Sequence, residues 1–184
     1  MSVSQSSLWL SLLLLILLLS APKVGASALL NTGYLALRSA LLEKGVLREG
    51  DNLYGMLDRT PLTTSALKNF RLAMSINGES IPAHWALGRT LLSVGDAKTA
   101  TYALEPLIHQ AEESILLYED IVNALSRSDQ QDRVIALYES ALPPRHTQII
   151  SDTLTLAYLE QGNEEAWDKA LEFRPDDLTE IGRA

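Results

Sequence analysis

Residues 81–114 read IPAHWALGRTLLSVGDAKTATYALEPLIHQAEES, two helical patterns that meet at Gly95-Asp96. The first pattern carries Leu87-Gly88. The second places Ala100, Leu104 and Leu107 at intervals of four and three, on one face of a helix turning every 3.6 residues. Shifted by 34 residues, the same frame falls on Ala66, Phe70 and Ala73 upstream and on Val134, Tyr138 and Ala141 downstream. Small residues at such positions let paired helices approach, and the bulky one fills the gap behind them. Bulk recurring at this period signals stacked helical hairpins, each sheltering its apolar side only against the next.

Working outward, residues 47–80 form the preceding unit. A helix carrying Leu53, Tyr54 and Leu57 is expected to end near Arg59, and Thr60-Pro61 restarts the chain as a helix cap followed by proline in the first turn. Residues 115–147 follow the index unit, with Tyr118, Ile121, Val122 and Leu125 on the first helix. There Ser128 with Gln131 three residues on reads as a capping box, and Pro143-Pro144 closes the unit. Residues 148–175 make a shortened last unit, in which Leu154, Tyr158 and Gly162 match the first helix. Asn163 to Phe173 is about a turn short, with Trp167 and Ala170 as its packing pair, and residues 176–184 are a tail. Pro106 lies inside a second helix, where proline costs about 3 kcal/mol and bends the axis. No stretch alternates with period two, so the expected fold is all-α.

Ser27 to Glu43 is amphipathic, with Leu30, Tyr34, Leu37 and Leu41 on one side and Gly45 as a stop; residues 29–46 read as an N-terminal cap to the array. Before it, Leu8 to Leu19 is LWLSLLLLILLL, free of charge. Twelve helical residues rise only about 18 Å against a hydrocarbon core of about 30 Å, which suits a secretory h-region. Small-residue cleavage positions follow at Val24-Gly25-Ala26 and Ala26-Ser27-Ala28. Two features point instead to a retained segment: MSVSQSS has no Lys or Arg, and the apolar stretch extends through Val24–Leu30. Residues 1–28 are therefore a signal peptide or a signal anchor. Either leaves the remainder exported (periplasmic or extracellular) or membrane-anchored with the repeats outside the cytoplasm.

Of the 184 residues, 47% are apolar and 21% charged, which excludes wholesale disorder. The net charge of −8 comes without any basic stripe and argues against nucleic acid and against anionic lipid head groups. With no cysteine there is no disulfide, thiolate chemistry, or Cys-ligated zinc or iron–sulfur centre. His84, His109 and His146 sit at no ligand spacing, and the adjacent carboxylates Glu112-Glu113, Glu164-Glu165 and Asp176-Asp177 point about 100° apart on a helix. No phosphate-cradling glycine loop or nucleophile elbow is present. No catalytic, cofactor or metal site is expected.

Over Leu47 to Pro175 the chain resembles the tetratricopeptide repeat family. The likeness rests on Leu87, Gly88, Gly95 and Ala100; on Ala66, Phe70 and Ala73; on Tyr138 and Ala141; and on Tyr158, Gly162, Ala170 and Pro175. The resemblance implies a right-handed superhelix of antiparallel helix pairs, about three full repeats plus the shortened unit. It also implies a concave groove, lined by first helices, that holds a peptide or a partner's helix. The family's groove positions map onto Asp51, Gly55 and Asp58; Trp85 and Arg89; Glu119, Asn123 and Arg127; and Asp152. Chaperone-binding members carry Lys where this chain has Asp51, Trp85 and Glu119, so carboxylate clamping gives way to a mixed, net acidic groove suited to a basic or amphipathic segment. Trp85 is also a candidate core residue. The expectation is a non-enzymatic scaffold for protein–protein interaction. The alternative is a structural accessory subunit of a membrane complex, held by an uncleaved transmembrane leader.

Overall fold

The computed structural model describes residues 5–45, 55–140 and 147–163; the side chains of residues 5–20 and of Glu112 lie outside it. Every regular element among them is helical: α1 Gln5–Glu43, α2 Pro61–Ile76, α3 Ile81–Ser93, α4 Ala97–Leu104, a 3₁₀ segment Glu105–Glu113, α5 Ile115–Arg127, α6 Gln131–Ser140 and α7 Gln148–Glu160. The protein is all-α, with no strand among the described residues. It divides into two compact units, Met1–Asp51 with Asp58–Ala86, and Asn52–Leu57 with Leu87–Ala184.

In the first unit α1 packs against α2. The buried residues Ala26, Gly33 and Ala40 recur every seventh position along α1, and all are small. A stripe without side-chain bulk lets a neighbouring helix come close. It does so at Gly33, where a β-carbon would stand 2.4 Å from Phe70 Cε1. Phe70 is fully buried, and Tyr34 meets it edge-on with ring centroids 5.2 Å apart. On α2, Ala66, Phe70 and Ala73 are all fully buried. Its start is as expected: the Thr60 hydroxyl accepts the Thr63 N–H at 3.2 Å, and Pro61 occupies the first turn.

The partner of α2 differs from the expected one. Gly55 is in a turn with φ +73° and residues 56–60 are outside any helix, so Leu57 is not on a first helix; Leu53 and Tyr54 lie outside the described residues. The reason is local: Gly50 and Gly55 fall five residues apart, and each glycine in a helix interior costs about 1 kcal/mol. The segment read as an N-terminal cap takes that place, with Gly33 supplying the close approach. Gly33 precedes Phe70 by 37 residues, where Gly88 precedes Leu104 by 16. A Lys44–Asp58 ion pair ties the two ends of the intervening segment, exposed enough to contribute little.

The leader and the expected capping helix are one element, since α1 runs unbroken from Gln5 to Glu43 with Pro22 inside it and ends ahead of Gly45 at φ +72°. Among the described residues no helix is long and apolar enough to cross a membrane, and the side chains of the leucine run are not among them.

In the second unit the helix ends repeat. Gly95 (φ +78°), Asp129 (φ +58°) and Gly162 (φ +69°) take left-handed conformations 34 and 33 residues apart. Each donates its N–H three residues back, to Leu92, Ser126 and Leu159, at 3.0–3.1 Å. Each next residue reaches five back, Asp96 to Leu91, Gln130 to Leu125 and Asn163 to Tyr158, at 2.9–3.0 Å. This is the Schellman ending of a helix, made three times in step. At Gly88 a β-carbon would stand 2.4 Å from Leu104 Cγ, the same close approach as at Gly33. α5 packs on α4, the 3₁₀ segment, α6 and α7, and α7 packs on α5 and α6. Ala100, Leu104, Leu107 and Val134 are buried and Tyr138 half-buried. Ala141, Trp167 and Ala170 lie outside the described residues, as does the expected helix Asn163 to Phe173 beyond its first residue.

Two expectations of local structure need restating. Pro106, with no N–H to donate, ends α4 at Leu104, and the chain goes on as the 3₁₀ segment rather than as a bent α-helix. Ser128 makes no capping box for α6. It stands one residue past α5, within reach of that helix's open carbonyls, and donates to Ala124 at 2.7 Å and Leu125 at 3.0 Å. Gln131 Nε2 likewise reaches back, 3.4 Å from the Ser126 carbonyl.

Candidate functional site

The candidate groove residues divide between the units. Asp58 and Trp85 belong to the first, where Asp58 pairs with Lys44 and Trp85 is half-buried. Gly55, Arg89, Glu119, Asn123, Arg127 and Asp152 belong to the second. Asp51 lies outside the described residues.

α3 and α5 bring the second group together. Arg89 projects from α3 with Nε 3.3 Å from Asp120 Oδ2 on α5; its side chain is 42% exposed, that of Asp120 2%. Asp120 is carried inward because Tyr118, Ile121 and Val122 around it are core residues. A carboxylate at that depth costs several kcal/mol unless a cation meets it, and Arg89 does. Glu119 is half-buried beside it. Asn123 is not presented for docking: it is 8% exposed, and its Nδ2 donates to the Glu119 carbonyl one turn back at 2.9 Å. Burial follows from its place between Val122 and Ala124, both about 1% exposed. Arg127 ends the same face, exposed, in the last turn of α5, where a cation complements the helix dipole.

Gly55 completes the cluster. Its N–H donates to the Leu92 carbonyl at 2.9 Å, and the Leu57 N–H to the Ser93 carbonyl at 2.8 Å, so this segment satisfies acceptors at the end of α3. A β-carbon on Gly55 would be 3.9 Å from Arg127 Nη1. Asp152 stands apart on α7, exposed, accepting from Gln148 Nε2 at 2.6 Å.

The face on α3 and α5 carries Arg89 and Arg127 beside Glu119 and Asp120, two charges of each sign. Of the other acids in the expectation, Asp58 belongs to the first unit, Asp152 is on α7, and Asp51 lies outside the described residues. Asp120 is the residue that sequence reading missed. Its signal was the adjacent carboxylate pair Glu119-Asp120 inside the otherwise largely apolar run LLYEDIVNAL.

Little else offers chemistry. His84 is buried, its Nε2 2.9 Å from the Gly78 carbonyl in the turn after α2; His109 is exposed, and His146 lies outside the described residues. Glu113 is exposed. Among the described residues no three His, Asp or Glu side chains are grouped to hold a metal. Burial, and secondarily Tyr158, pushes the Tyr138 phenol up; burial, and secondarily Glu139, pushes up that of Tyr158.

No family model matches the chain, and no curated protein or solved structure does either.

Proposed function

We propose that this chain is a non-enzymatic scaffold of tetratricopeptide type, exported or tethered through its leader. It docks a protein partner on the face formed by first helices. The three Schellman endings in step and the matched approaches at Gly33 and Gly88 support the repeat assignment. One observation carries the binding assignment: the buried carboxylate of Asp120 fixes the half-exposed Arg89 on the face that Glu119 and Arg127 share. A held guanidinium loses little further freedom on binding, and arginine is over-represented among interface hot spots. With charges balanced, the face suits an amphipathic segment carrying both signs better than a purely basic one.

Arg89→Glu is a poor probe, because it sets a second carboxylate against buried Asp120. Arg127→Glu and Glu119→Lys change the face without that cost. Crosslinking in native membranes, read as the yield of one defined adduct, tests the reading: both variants should lose it while keeping their helical circular dichroism. An unchanged yield in both removes this face from partner binding.

A second reading, a structural accessory subunit of a membrane complex, draws on the continuity of α1 from Gln5 to Glu43. Under it the native protein keeps its first residues; N-terminal sequencing that begins at Ser27 or Leu29 rejects it.

A further inference from the structure

The segment Gly55–Leu57 lies on the second unit although the chain on both sides of residues 52–57 clusters with the first. It lies there in the manner of a bound peptide. Alternate N–H groups, of Gly55 and Leu57, donate to successive carbonyls at the end of α3. Met56 between them is 51% exposed, while Leu57 is 4% exposed. Gly55 takes φ +73° beside Arg127, which a larger residue adopts only under strain. Two main-chain donors, one apolar anchor and a left-handed turn that favours glycine describe how a short segment is recognised. None of these features is required merely to connect α1 to α2, whose chain ends the Lys44–Asp58 pair already joins.

We propose that the ends of α3 and α5 form a receptor for a short peptide of Gly-x-Leu pattern, and that Gly55–Leu57 is its built-in occupant. A partner segment of that pattern displaces it. The proposal rests on the docking face assigned above and adds its ligand and its control: the site is closed until the strap leaves. An occupant tethered in the same chain acts at an effective concentration of about millimolar, so a free peptide at micromolar concentration does not compete with it.

The test uses the full chain and a labelled peptide of residues 52–60, NLYGMLDRT, read by fluorescence anisotropy. Leu57→Ser removes the anchor. Gly55→Val strains the strap without touching a buried side chain, which covers the case where Leu57→Ser loses its helical circular dichroism. Either variant, still helical, should bind the peptide at least tenfold more tightly than the unaltered chain. The same peptide with an N-methyl group on its leucine should not bind. Helical variants that bind no better than the unaltered chain overturn the proposal, as does equal binding of the N-methylated peptide. The docking face is judged separately: peptide capture by the strap variants with an unchanged native adduct in Arg127→Glu retires the face and keeps the strap. The opposite pattern retires the strap alone.

Discussion

Gly88→Ala puts one methyl group where the structure has no room for it. The new carbon would stand 2.4 Å from Leu104 Cγ and 2.5 Å from Cδ2, and Leu104 is 1% exposed, so it cannot swing into water. Ordinary carbon contacts begin near 3.5 Å, so α3 and α4 must part by about 1 Å or Leu104 must leave its rotamer. Overpacking of this kind costs about 1–3 kcal/mol. Against it, alanine gains about 1 kcal/mol over glycine inside a helix. The net loss is about 1 kcal/mol, a fall in Tm of about 2–4 °C for a chain of this size. Gly25→Ala is the internal control: it also lies in a helix, but its new carbon meets nothing within 4 Å. That substitution should raise stability by about 1 kcal/mol. Leu104→Ala alone should cost about 2–5 kcal/mol, and in its background Gly88→Ala should become favourable, giving a coupling of about 2 kcal/mol. Urea melts followed by circular dichroism measure all four. Gly88→Ala stabilising as Gly25→Ala does, or the double variant proving additive, would refute the close approach on which the helix pairing is argued.

Three further outcomes follow from the second unit. Arg89→Met takes the paired cation from the buried Asp120 carboxylate and should cost about 2–3 kcal/mol, whereas Asp120→Asn leaves a half-exposed guanidinium that water can solvate and should cost about 1 kcal/mol; equal losses in urea melts contradict that asymmetry. Asp129→Gly, at φ +58°, should gain about 0.5–1 kcal/mol by relieving a left-handed residue, and a loss on thermal melting rejects it. The raised phenols of Tyr138 and Tyr158 hold their protons in the fold at a pH where the unfolded chain has released them. Stability is therefore fully present below pH about 10 and falls as pH rises above it. Tm measured from pH 9 to 11.5 should drop less steeply in Tyr138→Phe and Tyr158→Phe than in the unaltered chain.

Periodicity made part of this fold legible. The frame of Ala66, Phe70 and Ala73, of Ala100, Leu104 and Leu107, and of Val134 marks positions the structure buries, because side-chain bulk at 34-residue intervals is written in residue types. The Schellman ending at Asp129 was visible only by its distance from Gly95, since aspartate is a poor sign of a left-handed turn. What was hidden depended on three-dimensional choice. The sequence reading gave α2 the in-frame Leu53-Tyr54-Leu57 segment as partner and kept residues 29–46 as a cap; packing put the helix of Gly33 and Tyr34 against α2, because Gly33 admits the Phe70 ring and the in-frame segment is interrupted by glycine. At the candidate site, Arg89 and Arg127 were reached only through the family resemblance. Asp120 and the strap could not be reached, because burial and hydrogen bonds between distant segments leave no periodic trace.

The same choice bears on the leader. α1 is long enough to be both a leucine-rich segment and the packing partner of α2, and both cleavage positions, after Ala26 and after Ala28, fall where burial begins among the described side chains, which start at residue 21. Cutting after Ala26 leaves residues 27–43, 17 residues to set against the 16 of α2, with Gly33 and Ala40 still in place. Among residues 21–26, whose side chains are described, what is lost is the burial of one alanine methyl, about 0.8 kcal/mol, or a Tm change of about 2–4 °C. The buried contacts described for the first helix pair thus fall almost wholly after Ala26. A chain beginning at Ser27 should keep the Tyr34–Phe70 ring contact, seen as near-ultraviolet circular dichroism and as slow amide exchange along α2. Rapid exchange throughout α2 in that chain would mean that residues before Ser27 belong to the fold itself.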